Sequence, residues 1–277
     1  MFAGLSSYYP GLSRQLPQNF PHPLASRWAT AEWYTYQLKR YCRFLSLLFA
    51  DLCSLRMQKT ALIAGASGLI GSQLLPLLLA SNRYNRVIVV GRRPVLVVHP
   101  KLEQRLLDFD HLEDHRFQLI ADDVFCCLGT TLREAGSKEA FYTVDYLYVV
   151  KLAALTAGNF AAQFLVVSAL GANSHSRFYY SRVKGEMEEA VQQAPFRAIH
   201  IFRPSLLLGQ RARPRTGERI GAFVLRTLGP ILQGPLRKYR AVGADTVAHA
   251  MLSAAEASSV GTQVHSSTPA RLASSGL

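Results

Sequence analysis

The chain has 277 residues, 49% of them hydrophobic and 18% charged, which suits one large domain with a full core, or two small ones. Its net charge of +13, from 31 Lys and Arg against 18 Asp and Glu, favours anionic partners such as cofactor phosphates or an acidic substrate, and equally serves solubility. Four cysteines are too few for a disulfide framework in a chain this long, no C-x-x-C pair offers zinc ligands, and no apolar run reaches the ~18–20 residues of a membrane-spanning helix.

Residues 1–56 read differently from the rest. They hold Pro10, Pro17, Pro21 and Pro23, no acid before Glu32, and no strand-turn-helix pattern. The apolar run from Phe44 to Ala50 is too short to span a membrane and too deep for a signal peptide. Residues 1–56 are read as a leader dispensable to the fold, with the functional chain starting near Met57. The alternative is an organelle transit peptide, since such leaders are acid-poor and contain Arg and Ser. The first reading places the protein in the cytoplasm and the second in an organelle.

From Met57 strands and helices alternate. Ala61–Ala64 is a short apolar run before glycines, as expected of a buried parallel strand. A helix is expected over Ser72–Ser81, with Pro76 inside it. Strands come next at Arg86–Val90, at Arg105–Leu107 and at Val124–Leu128. Ser137–Ala157 has helical spacing, with Val144, Leu147, Val150, Leu152 and Leu155 as expected core. A fifth strand covers Phe164–Val167, a helix Tyr179–Gln193 and a sixth strand Ala198–Phe202. This rhythm predicts an α/β, doubly wound parallel Rossmann sheet of order 3-2-1-4-5-6, with room for a seventh strand and helices on both faces. The Rossmann domain is placed at 57–256, with a small substrate region from about residue 205. Helices are expected at Ile220–Leu228 and Thr246–Glu256, and residues 257–277 read as a frayed tail.

The glycines come first chemically. A strand aims at Gly65, and a helix starts near Gly68. Small residues let a backbone approach a pyrophosphate, whose charge the helix N-terminus attracts. Ser67, Leu69 and Ile70 belong to the same cradle, and Gly71 lets the helix pack near the sheet. A tight βα turn without ligand would have the same glycines. The second strand ends at Arg92 and Arg93, where an NAD site would carry an acid for the ribose 2′-hydroxyl. Two guanidinium forks suit a 2′-phosphate instead, so NADP(H) is favoured over NAD(H). Asp108 can accept a hydrogen bond from the adenine amino group, or be an exposed turn residue.

Tyr180 and Lys184 are four apart and share one helix face. A free tyrosine titrates near ~10. An adjacent ammonium and a positive nicotinamide are expected to lower that value, letting Tyr180 act as the acid–base. Ser168, at the end of the fifth strand, would orient the substrate oxygen. Tyr179 is no substitute, because its i+4 partner is Val183.

In series, Gly65-Ala-Ser-Gly-Leu-Ile-Gly71, Gly91-Arg-Arg93, Cys127-Leu-Gly-Thr-Thr131, Val144-Asp145, Tyr180-Ser-Arg-Val-Lys-Gly-Glu186 and Phe202-Arg-Pro-Ser-Leu-Leu-Leu-Gly209 carry a resemblance. The chain resembles the extended or atypical short-chain dehydrogenase/reductases. Among these it is most similar to the Tat-interacting-protein-like oxidoreductases, an epimerase/dehydratase-like group. The resemblance implies an NADP(H)-binding Rossmann fold in which Leu128, Gly129 and Thr130 line the cofactor. It also implies that Arg203 and Pro204 carry the chain past the nicotinamide, with Ser205 and Leu206 beside it. Two features depart from the family pattern. Asp145 stands where classical members place a relay Asn, and the C-terminal part is short for a sugar-nucleotide epimerase.

The function expected is hydride transfer between NADP(H) and a small carbonyl or alcohol, with Tyr180 as acid–base, Lys184 as its tuner and Ser168 as orienter. The alternatives are an NADPH-binding sensor or scaffold with little turnover, and a nucleotide-sugar epimerase or dehydratase. The basic loop Arg211–Arg219 can attract an anionic substrate or be a solvated loop. No metal site, specific nucleic acid or transmembrane anchor is expected. A monomer and a homodimer are both compatible.

Overall fold

The computed structural model describes residues 59–205, 207–208, 242–257 and 259–266. The chain divides into two compact units, Met1–Met57 and Gln58–Leu277. The leader, the basic loop Arg211–Arg219, the helix expected at Ile220–Leu228, and Leu206 lie outside the described residues.

Apolar runs become strands where both faces can be covered. β1 (Lys59–Ala64), β2 (Tyr84–Gly91), β4 (Asp123–Cys126), β5 (Gln163–Val167) and β6 (Ala198–Arg203) form the interior of a parallel sheet, flanked by β3 (Leu102–Leu106) and β9 (Gly261–Ser266). The order is β3-β2-β1-β4-β5-β6-β9, the doubly wound order expected plus a seventh strand. Short strands β7 (Leu207–Leu208) and β8 (Val242–Gly243) pair with each other apart from this sheet. Among the described residues no helix is long and apolar enough to cross a membrane.

Alternation in β1 sends side chains to two separate cores. Ala61 and Ile63 join helices α1 (Gly71–Ala80) and α6 (Ala244–Glu256) on one face. Leu62 and Ala64 join α4 (Tyr148–Gly158) and α5 (Tyr179–Gln192) on the other. Strand ends are held too. Asp123, fully buried at the start of β4, accepts from Arg83 Nε and Tyr84 Oη at 3.0 Å each and from Gln163 Nε2 at 3.1 Å.

Three sequence expectations change. β3 sits three residues earlier at its start than Arg105–Leu107. It is an edge strand whose Glu103 pairs with Arg86 and Arg105, so charge hides its apolar alternation. Residues 261–266 are not frayed: Gly261 to Ser266 pair in register with Ala198 to Arg203. That strand is mostly exposed and polar, and β6 supplies the hydrogen-bond partners its sequence does not advertise. The third change is in the helix expected over Ser137–Ala157. It is broken into α3 (Lys138–Tyr142), a π turn at Thr143–Leu147 and α4. Tyr148 N–H bonds the Thr143 carbonyl, so one extra residue per turn rotates the rest of the helix about its axis. Of the five residues expected in the core, Leu152 is fully buried while Leu147 is 38% exposed. Val144, Val150 and Leu155 pack against the core as expected, and Asp145, Val149 and Ala153 are buried beside them.

Candidate functional site

A cleft of about 540 Å³ opens at the carboxyl edge of β1, β2, β4 and β5, where ligands of doubly wound sheets bind. Its walls bring together Gly65, Ser67, Gly68, Leu69, Ile70, Arg92, Arg93, Leu128, Gly129, Thr130, Ser168, Tyr180 and Lys184. These residues come from positions up to about 120 apart in sequence. Parallel strands that all end at one edge place them side by side.

The loop after β1 is built around missing side chains. Gly65 has φ +84°, and a Cβ on it would stand 2.5 Å from the Cys127 carbonyl oxygen. Gly68 N–H closes the turn on the Gly65 carbonyl at 2.9 Å. Gly71 lies behind the cleft, where a Cβ would collide with the Gly65 carbonyl. It therefore seats α1 and does not line the opening.

Arg92 and Arg93 follow β2, and both are exposed on the cleft wall. Neither forms an ion pair with any described residue. Asp108 is exposed and caps the turn after β3, accepting from Asp110 N–H at 3.1 Å. Its neighbour Phe109 lines the cleft instead. Tyr148, also on the wall, donates its hydroxyl to Asp110 at 2.6 Å. Its pKa is pushed up to about 12 by burial and by that carboxylate. Sequence reading missed Phe109 and Tyr148. An aromatic at the start of a 3-10 turn and another after a π turn leave no periodic signal.

Ser168 follows β5 and is pinned by its own backbone N–H to the Phe202 carbonyl at 2.7 Å. It is 5% exposed, and its Oγ has no hydrogen-bond partner. Buried hydroxyls normally find one, so this atom is left for something that enters the cleft.

On α5, Tyr180 packs its ring on the fully buried Phe141, with centroids 5.4 Å apart. Tyr179 points elsewhere and donates to the Lys138 carbonyl at 2.9 Å. Lys184 is 3% exposed, and its Nζ lies 2.7 Å from Asp145 Oδ1. The other Asp145 oxygen accepts from Thr130 N–H at 2.9 Å. Burial alone would lower the Lys184 pKa, but Asp145 and Tyr180 together outweigh it and the net shift is upward. The tyrosine departs from the sequence expectation. Its pKa is raised, chiefly by burial, with Asp145 adding to the rise and Lys184 opposing it. Lys184 does pull the Tyr180 pKa down, but in the protein without cofactor burial outweighs that pull.

Three residues expected near the nicotinamide do not line the cleft. Arg203 Nε bonds Glu188 of α5 at 3.0 Å. Pro204 is buried, and its carbonyl accepts from Leu170 N–H at 2.9 Å. Ser205 is half-buried. Through Leu170, Pro204 braces the loop carrying Ser168. Among the described residues no cluster of His, Cys, Asp and Glu could hold a metal.

The donor set fits a dinucleotide. A backbone cradle at a helix start, two cations without ion-pair partners and an orphaned hydroxyl match a pyrophosphate, a phosphate and a polar reacting group. Residues 61–263 match the NAD dependent epimerase/dehydratase family. The chain belongs to this family. The family is NAD(P)-dependent and epimerase/dehydratase-like, and the Rossmann sheet is its fold. It is 38% identical to Protein HTATIP2 of Rattus norvegicus over 164 residues, covering 58% of this chain and 67% of that one. It is 34% identical to the Scheffersomyces stipitis protein FMP52-1, named mitochondrial, over 55% of this chain and 69% of the relative. Among solved structures it is similar to MoeE5 in complex with UDP-glucose and NAD, with TM-score 0.58 and 18% identity over 74% of each chain. It is also similar to the UDP-glucose 4-epimerase of Thermotoga maritima, with TM-score 0.55 and 18% identity over 71% of this chain and 73% of that one. At such identity these structures speak for the fold alone.

Proposed function

We propose that this protein is an NADP(H)-dependent oxidoreductase acting on a small carbonyl or alcohol. The observation that carries the reading is the orphaned Ser168 Oγ on the same cleft wall as Tyr180 and Lys184. A substrate carbonyl oxygen would accept a hydrogen bond from Ser168, and Tyr180 would pass its hydroxyl proton to that oxygen. The bound cofactor supplies hydride to the carbonyl carbon. Lys184 reaches the floor at Gly129, where it would hold the nicotinamide ribose. The glycine loop would carry the pyrophosphate. Arg92 and Arg93 would hold the 2′-phosphate, which favours NADP(H) over NAD(H). The partner this reading implies is a small-molecule substrate. The names of the fungal relatives favour the organelle reading of residues 1–56 over a cytoplasmic one.

The test is a titration of the full chain with NADPH and NADH. Each arginine taken to Ala should weaken NADPH binding about tenfold or more, the scale of one lost charge-assisted contact, and leave NADH nearly unchanged. A carbonyl panel then measures NADPH consumption. Binding without turnover would point to a sensor, and binding of neither nucleotide would end the reading.

A further inference from the structure

The loop between β2 and β3 carries apolar side chains outward. Leu96 and Val98 are fully exposed, and Val97 between them is also exposed. Leu106, paired with Gly91 where the loop leaves β2, adds a further exposed aliphatic. Single surface aliphatics are ordinary, but two at full exposure within three residues gain nothing from the fold. Their backbone is held all the same. Val95 packs against the core of α1 and α6. Its N–H donates to Gln104 Oε1 at 2.9 Å, and its carbonyl accepts from Gln104 Nε2 at 3.1 Å. On the far side a turn closes where Leu102 N–H bonds the His99 carbonyl at 2.9 Å. Leu96, Val97 and Val98 form an apolar tip between these two anchors.

Charge decides what the tip suits. From Arg92 to Lys101 the loop holds two arginines and a lysine and no acid. Lys101 Nζ rests on the Ser81 carbonyl at 2.9 Å. Arg92 and Arg93 are exposed, and none of the three cations forms an ion pair with a described residue. Glu103, the next acid, is already shared between Arg86 and Arg105. An apolar tip with uncompensated cations at its root matches a bilayer with anionic headgroups. The aliphatic side chains enter the acyl boundary, and the guanidinium groups stay among the phosphates. A second copy of this chain is a poorer match, because its own loop would bring the same positive charge.

We propose that the Leu96–Val98 tip docks the protein peripherally on anionic lipid membranes. Arg92 and Arg93 root the loop and also line the cleft, so docking brings that rim of the cleft toward the headgroups. The attachment does not depend on the oxidoreductase reading.

The experiment is co-sedimentation of the full chain, free of nucleotide, with phosphatidylcholine vesicles, with mixed phosphatidylcholine–phosphatidylserine vesicles, and without lipid. The parent should pellet with the mixed vesicles, and added salt should release part of it. Leu96→Asn/Val98→Asn alters no charge and touches only exposed side chains, so its melting temperature should match the parent's. Its partitioning onto the mixed vesicles should fall about tenfold or more, the scale of one aliphatic side chain kept in water. Pelleting that this variant leaves unchanged would place the attachment elsewhere on the chain and overturn the proposal. Absence of pelleting with the mixed vesicles, or equal pelleting with both kinds, would overturn it too. Sedimentation of the parent without lipid that the variant abolishes would assign the tip to a second copy instead. No nucleotide or substrate enters any arm. Failure of the NADPH titration would therefore leave this result standing, and the reverse.

Discussion

The Cys127 carbonyl oxygen stands 2.5 Å from where a Cβ on Gly65 would be, and this ties the end of β4 to the loop after β1. Two costs fall on any side chain at 65. The backbone is at φ +84°, where an L-residue is strained, and a rigid carbonyl blocks the methyl. Gly65→Ala should destabilise the fold by about 1–3 kcal/mol from the dihedral alone, with the clash in addition. The loop must also move off Cys127, so nucleotide binding should fall more than stability does. A thermal melt together with an NADPH titration reads both. A variant with the parent melting temperature and affinity would contradict the geometry.

Ser168 offers the opposite trade. Its buried Oγ has no partner, so removing it takes away a desolvated hydroxyl and breaks no hydrogen bond. Ser168→Ala should melt at or slightly above the parent temperature. Turnover should drop about a hundredfold, the scale of one lost donor to a developing oxyanion. If stability fell by more than about 1 kcal/mol, the hydroxyl would have an internal partner and its assignment to substrate would fail.

Tyr180 carries the proton in this scheme. Tyr180→Phe should lower carbonyl reduction by about a hundredfold to ten-thousandfold while NADPH affinity holds within about twofold. The pH profile gives a second check. Burial raises the tyrosine pKa and outweighs the downward pull of Lys184, so the protonated donor persists through neutral and mildly alkaline pH. Reduction should stay level to about pH 10 and fall only beyond it. A decline that begins near neutral pH would mean that the bound cofactor reverses the shift of the free protein.

Much of this site is legible from sequence because parallel strands deliver their ends to one place. Gly65, Arg92, Leu128 and Ser168 each follow a readable apolar strand, so their shared edge is a consequence of strand order alone. Tyr180 and Lys184 share a face by simple helical spacing. The misreadings have local causes. Nothing in Thr143-Val-Asp-Tyr-Leu147 announces a π turn, and Leu147 within it is exposed although it is apolar. β9 is an edge strand with one large apolar residue, Val264, and its place is set by β6. Arg203, which the family resemblance implies near the cofactor, bonds Glu188 on α5. That pairing crosses from helix to strand and has no sequence period.

The β6–β9 seam adds a pH response remote from the cleft. His200 is fully buried, with Nδ1 at 3.0 Å from His265 Nε2 and Nε2 at 3.0 Å from Ser259 Oγ. His265 stacks on Phe202, with centroids 4.5 Å apart. Burial and the facing His265 push the His200 pKa down to about 4, against a weaker upward pull from Asp123. The neutral form is therefore the folded one. In the unfolded chain the ring titrates near ~6.5, so between that value and about 4 the unfolded state binds more protons. Stability from this residue is complete above the unfolded value and is lost as pH falls through the window. His200→Gln keeps polar atoms facing Ser259 and His265 but cannot take up the proton. Its melting temperature should fall less steeply from pH 6.5 to pH 4 than the parent's. Carboxylates elsewhere tilt both curves equally, so the difference isolates the histidine. Parallel curves would mean that His200 is already protonated in the seam, or that β9 leaves β6 before the ring titrates.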